Sequence, residues 1–195
     1  MKLYFRLLRL WLLLRKSRSM AIDDTSVFKS RVWPTDLDFN GHMTNTRYAN
    51  LFDLSHIQIF SQLGLVATLK QLNWTPIINA RTISYFKELS PFEVFTVTSK
   101  LICWDRSYFY LEHRILNQAG KTSAICYSRG LILNKNSENS KGIISIKQVI
   151  EEAFKAGKGP NLKSLDELTT PDIPEHIKHW TDTLKIQKKT AKSTL

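Results

Sequence analysis

Cysteine is scarce: the chain has two in 195 residues, Cys103 and Cys126. Both sit in apolar, strand-like runs with no partner at metal-ligand spacing, so they read as small buried hydrophobes in a reducing compartment, and neither a disulfide framework nor a metal or cofactor is expected. Internal repeats are absent. No uncharged apolar run approaches the ~20 residues needed to cross a bilayer, and Leu10–Leu14 falls far short. Acidic residues are missing from residues 1–22, which carry six Lys or Arg. Proline and glycine are missing from residues 45–63, the stretch where a long helix is expected.

The net charge of +11 belongs to the ends. Residues 178–195 add five lysines against one acid, Asp182, and the body between the two ends is left with a net of +1. A nucleic-acid-binding domain carries its basic face on the fold, so no nucleic-acid partner is expected. In residues 2–16, KLYFRLLRLWLLLRK, the cations Lys2, Arg6, Arg9 and Lys16 fall on one face at helical spacing, with Leu, Phe and Trp11 around the rest. This pattern predicts an amphipathic helix over residues 1–22 that holds the chain, through residues 1–19, at an anionic membrane surface. Peripheral attachment on the cytoplasmic side is the expectation, and a mitochondrial presequence is the alternative.

The densest polar chemistry lies at Asp36-Leu37-Asp38-Phe39-Asn40-Gly41-His42-Met43-Thr44-Asn45-Thr46-Arg47-Tyr48. A carboxylate, an amide and an imidazole alternate at Asp38, Asn40 and His42, and alternation in an extended segment would aim them to one side. The helix that follows, with Tyr48, Leu51, Phe52, Ser55, Ile59 and Leu63 at helical steps, begins at Asn45 and ends before Gly64. Its N-terminus offers free backbone N–H groups and a positive dipole end. A general base beside such donors is what hydrolysis of an acyl bond requires. A turn-forming Asp and a helix cap at Thr44 or Asn45 explain the same residues without chemistry.

That run resembles the Asp-x-Asn-x-His-x-Asn-Asn-x-x-Tyr signature of hotdog-fold thioesterases, of both the acyl-CoA and acyl-ACP types. Asp38, Asn40, His42, Asn45 and Tyr48 match, and Thr44 replaces the first Asn of the pair. The resemblance implies Asp38 as the carboxylate that activates water or attacks the thioester, Asn40 as the group that positions water or the carbonyl, and His42 as its orienting or proton-shuttling partner. Some hotdog enzymes take the carboxylate from the helix, which makes Asp53 a competitor. Thr44, Asn45 and Tyr48 would lie against substrate, with the oxyanion on backbone N–H groups near Thr44 and Asn45.

Around the signature the pattern is α+β. A first strand over Val27–Trp33 is stopped by Pro34, and after the helix four strands follow as a meander: Ile77–Phe86, Phe92–Cys103, Tyr108–Leu116 and Thr122–Leu133. A sheet wrapped round one long helix is the hotdog layout, so the hotdog domain is expected over residues 23–135. Residues 136–195 would hold a helix at Ile146–Ala156, a second from Pro174 to Leu184, and a basic tail. The function implied is an acyl-CoA or acyl-ACP thioesterase of fatty acid metabolism, working as a homodimer or dimer of dimers. The alternative is a non-catalytic hotdog that binds acyl thioesters as a sensor or membrane scaffold.

Overall fold

A computed structural model describes residues 20–136 and 142–193. In chain order the elements are β1 (Ser26–Arg31), a 3-10 turn (Pro34–Asp36), α1 (Asn45–Gln62), α2 (Leu65–Gln71), β2 (Trp74–Tyr85), β3 (Val94–Trp104), β4 (Phe109–Leu116), β5 (Thr122–Asn134), β6 (Ile143–Ile144), α3 (Ile146–Lys155), a second 3-10 turn (Leu165–Glu167) and α4 (Glu175–Ser193). Of the amphipathic helix expected over residues 1–22, residues 1–19 lie outside the described residues; residues 20–22 are described and are not helical, because Met20 and Ile22 pack against the core instead. Among the described residues no helix is long and apolar enough to cross a membrane.

The sheet is antiparallel in the order β1-β3-β4-β5-β2, with β6 paired to the end of β5. This corrects the simple four-strand meander. Of the four strands expected in it, β3, β4 and β5 are joined as neighbours in sequence, while β2 crosses to the far edge and pairs with β5 from Trp74↔Asn134 to Tyr85↔Ala124. The connection Phe86–Glu93 carries Pro91, a buried Leu89 and a left-handed Phe92 (φ 63°), and it is too long for the tight turn a β2–β3 hairpin needs.

The sheet curls round α1, whose inward face follows its apolar period. Leu51 and Phe52 pack among Phe95, Val97, Ile115 and Ala124, and two turns further on Ile59, Phe60 and Leu63 meet Leu101, Trp104, Phe109 and Ile132. Each such side chain, fully buried, contributes about 1.5–3 kcal/mol. Gly64 (φ 71°) turns the chain from α1 into α2, a helix the sequence pattern did not suggest. A β-carbon there would sit 2.6 Å from the backbone nitrogen of Gly159, so the position excludes larger residues.

The domain does not stop at residue 135. The α3 residues Ile146, Val149, Ile150 and Ala153 lie in the same core as Ile59 and Leu101, because α3 packs against α2, which follows directly on α1. Nor is the C-terminal region a tail with one short helix. The expected Pro174–Leu184 helix runs on to Ser193, and its Ile177 and Trp180 pack with Ile102, Cys103, Tyr110 and Tyr127 on the outer face of the sheet. Cys103 and Cys126 are buried free thiols whose pKa values burial pushes up to about 12 and about 11.

Candidate active site

The signature run forms a closed loop at the start of α1. Its base is the isolated bridge Leu37↔Met43. Within it the Asp38 N–H donates to the His42 carbonyl (2.9 Å) and the Gly41 N–H to the Asp38 carbonyl (3.1 Å). The Asp38 carboxylate turns onto its own backbone, where Oδ1 accepts the N–H groups of Asn40 (2.9 Å) and His42 (3.3 Å). An Asp makes this turn readily, and Gly41 (φ 78°) supplies the left-handed residue that lets it close. Asp38, Asn40 and His42 therefore share one tight turn rather than fanning from an extended strand, since backbone N–H groups that a strand would pair are satisfied here by the carboxylate. Asp38 and Asn40 are exposed, and Phe39 between them stands fully in solvent. His42 reaches outward, its Nδ1 3.5 Å from Oε2 of Glu88.

The loop is anchored from below by Asp36. Its buried carboxylate accepts the Trp33 N–H through Oδ2 (3.0 Å) and faces Arg47 Nε through Oδ1 (3.3 Å). The Asp36 carbonyl takes the Thr44 N–H (2.9 Å), and Arg47 Nη2 donates to the Thr35 carbonyl (2.9 Å). Thr44 stands at the N-cap of α1 without a side-chain cap bond, and the first turn carries no acid. Among the described residues the N–H groups of Asn45 and Thr46 meet no acceptor, which leaves them open to one from outside. Tyr48, also drawn from the signature, is buried: its ring meets Tyr85 edge to face at 5.1 Å, and desolvation pushes its hydroxyl pKa to about 12. Its ring packs in the core and its hydroxyl is hydrogen-bonded to the backbone of Leu89.

Asp53 lies two turns along α1 and belongs to a different cluster. Its carboxylate is ion-paired with Arg81 of β2, and His56 Nδ1 is 3.7 Å away. The His56 contact and the Arg81 guanidinium hold the Asp53 carboxyl below its ordinary range against the opposing effect of burial. The His56 ring stands edge-on to His113 (centroids 4.7 Å), and His113 Nδ1 shares a hydrogen bond with Ser99 Oγ at 2.7 Å. Desolvation lowers the pKa of His56 and drives that of His113 well down, so both rings are neutral near pH 7. The sequence reading missed this polar seam of His56, Arg81, Ser99 and His113. A period-2 reading of β4 carries the signal for His113, which falls in register with Phe109, Leu111 and Ile115 on the inward face.

Beyond His56 an apolar groove of about 420 Å³ opens between α1, α2 and β2, lined by Ile57, Phe60, Val66, Leu69, Trp74 and Ile78. Ile57 and Val66 are each 46% exposed there. Among the described residues no cluster of His, Cys, Asp and Glu could hold a metal ion.

A model of the thioesterase-like superfamily matches residues 32–181. Protein THEM6 of Danio rerio is 28% identical over 175 residues, which span 88% of this chain and 77% of that protein. A probable thioesterase of Saccharomyces cerevisiae is 32% identical over 91 residues, covering 45% of this chain and 38% of the yeast protein. In fold, the chain resembles SAV2348 of Staphylococcus aureus, solved in complex with CoA, with a TM-score of 0.58 at 20% identity over 81% of this chain and 100% of that one. It also resembles the DHNA-CoA thioesterase of the same species, with a TM-score of 0.57 at 16% identity over 68% of this chain and 88% of that one.

Proposed function

The chain belongs to the thioesterase-like superfamily and is a thioester hydrolase of hotdog fold; from that premise we propose that it hydrolyses fatty acyl-CoA, with Asp38 as the catalytic carboxylate and the start of α1 as the oxyanion site. The observation that carries this reading is the uncapped N-terminus of α1 directly after the Asp38 loop. Water adds to the thioester carbonyl carbon as Asp38 takes its proton, and the developing oxyanion is held by the Asn45 and Thr46 N–H groups and the helix dipole. The carbon–sulfur bond then breaks, the proton passes from Asp38 to the departing thiolate, and free acid and CoA leave. Asn40 and His42, on the same turn, position the water and hold the loop.

The groove between α1, α2 and β2 suits the acyl chain. It begins eleven residues after Asn45, about 16 Å along the helix, so only the far part of a long chain would reach it. Two features argue that a second copy completes the site. β2 is a twelve-residue edge strand paired only to β5 among the described residues, with Ile77, Tyr85 and Phe86 exposed along or just beyond it. Asp38 and Phe39 also stand uncovered in the single chain. A homodimer joined across β2 would pair that edge and cover the groove.

Thiol release from acyl-CoAs of graded length, by the natural chain and by Asp38→Asn, tests the reading. Turnover that rises with chain length and is lost in the variant is the expected result. If neither protein turns over acyl-CoA while both bind it, the non-catalytic sensor or scaffold takes its place. Turnover of acyl-ACP alone moves the substrate to the other carrier.

A further inference from the structure

We propose that the cleft between α4 and the outer face of the sheet binds a phosphate-bearing anion, at a place separate from the Asp38 loop. The cleft has a volume of about 500 Å³, within the range of small-molecule sites. Its floor is Tyr108 and Tyr110 of β4 and its connecting turn, and its wall is the face of α4 that carries Lys178, Thr181, Lys185 and Lys188. Those four recur at steps of three and four along α4, so they form one stripe. A helix docked on a sheet is expected to turn apolar residues inward, and Ile177 and Trp180 do so. The exposed lysine stripe beside them borders the open side of the cleft.

The acids in the cleft are already committed. Asp105 Oδ1 accepts the N–H groups of Ser107 (2.7 Å) and Tyr108 (2.8 Å), and its Oδ2 accepts the Tyr110 hydroxyl (3.3 Å). Asp182 is paired with Lys185 at 2.7 Å. Lys178, Lys188 and Arg129 are left with no acidic partner among the described residues. Arg129 is the most strongly fixed of the three: its guanidinium lies 4.4 Å from the centre of the Tyr108 ring, and its Nε donates to Asn79 Oδ1 at 3.2 Å. The terminal nitrogens of that planar fork are then positioned for a phosphate, whose oxygens match its geometry. The Tyr110 hydroxyl, 3.4 Å from Thr181 Oγ1, ties the lysine face of α4 to the floor. The cleft is lined by four cations, Arg129, Lys178, Lys185 and Lys188, against two carboxylates, Asp105 and Asp182, and this excess of positive charge favours a ligand with two or more negative charges. The site is remote from the thioester reading: Asp105 and Tyr108 follow Trp104, which packs at the far end of α1 from the Asp38 loop, and the cleft lies on the opposite face of the sheet.

The test is isothermal titration of the full chain at low ionic strength with inorganic pyrophosphate, ADP and adenosine 3′,5′-bisphosphate. Saturable one-to-one binding is expected, weakening as salt is added. It should fall at least tenfold in Lys178→Ala/Lys188→Ala, whose side chains lie at the surface, and in Arg129→Gln. Asp38→Asn should bind as the natural chain does, whether or not thioester turnover is found. Equal affinity for all three probes assigns the site to the phosphate group alone, and tighter binding of one nucleotide assigns it to that nucleotide. Absence of saturable binding to every probe, or affinity unchanged in both variants, overturns the proposal.

Discussion

Arg47 Nε stands 3.3 Å from Oδ1 of Asp36, a carboxylate with no exposed surface, and so joins the first turn of α1 to the base of the Asp38 loop. Removing the cation strands a buried charge, which costs more than the pair contributes when intact. Arg47→Ala is therefore expected to lower stability by about 2–3 kcal/mol. Asp36→Asn should cost less, since it leaves no buried charge and an amide oxygen still accepts the Trp33 N–H. Urea midpoints of the two variants compare these costs, and equal midpoints would remove Arg47 as the anchor.

The two candidate carboxylates separate cleanly by isosteric substitution. Asn at position 38 keeps an oxygen for the N–H groups of Asn40 and His42, so Asp38→Asn preserves the turn while removing the base. A fall in kcat of about 10²–10⁴-fold is expected, with little change in KM or in melting temperature. Asp53→Asn breaks the Arg81 ion pair and is expected to shift stability and leave kcat within a few-fold. The reverse pattern of rates would transfer the catalytic role to Asp53.

Much of this architecture was legible in the residues, and the exceptions share a cause. The α1 helix and the strand runs follow local periods that short windows carry. The pairing of β2 with β5 is non-local, decided by the long connection before β3 and by which edges the helices leave open. The place of α3 in the core is likewise set by its packing against α2, from which it is more than 70 residues distant in sequence. At the site, the alternation of Asp38, Asn40 and His42 suggested a shared face, yet Gly41 and the carboxylate's own appetite for backbone N–H groups made a turn. Asp36 carried no assigned role because burial, which makes it the anchor, cannot be read from its neighbours Thr35 and Leu37.

His113 gives the fold a pH dependence of definite sign. Its ring is fully buried and its pKa is driven well below the ordinary 6.5 by desolvation, with His56 and Arg81 adding repulsion. The unfolded chain therefore binds a proton that the folded chain refuses. Stability is full above about pH 6.5 and declines as the pH falls below it, at up to about 1.4 kcal/mol per pH unit for this one group. Chemical denaturation between pH 7.5 and 5 measures the slope. His113→Gln, which keeps a polar partner for Ser99, is expected to flatten it, and an unchanged slope would place the effect elsewhere.

The sequence of residues 1–19 sets cations at helical spacing among Leu, Phe and Trp, and the proposal that they hold the chain at an anionic membrane makes a separable prediction. Deleting them should release the protein from vesicles containing phosphatidylserine while leaving turnover of soluble, short-chain acyl-CoA unchanged. Retention on the vesicles would shift the contact to another surface, with the lysines of α4 the next to be substituted.

The edge of β2 tests whether the site is completed by a second copy. Ile77 is 40% exposed on that strand, and its neighbours Pro76 and Ile78 line the apolar groove. A lysine at an edge opposes strand addition by placing a charge where a second strand would lie, and two copies meeting across the edge would bring two such charges together. Ile77→Lys is expected to convert a dimer to a monomer in analytical ultracentrifugation with little loss of monomer stability, because the side chain leaves the core untouched. If the groove and the Asp38 loop need the partner, thiol release by this variant should fall together with the dimer fraction and recover as protein concentration rises. An active monomer in the natural chain, at the concentration of the assay, would show that one copy holds a complete site and that the exposed edge serves another purpose.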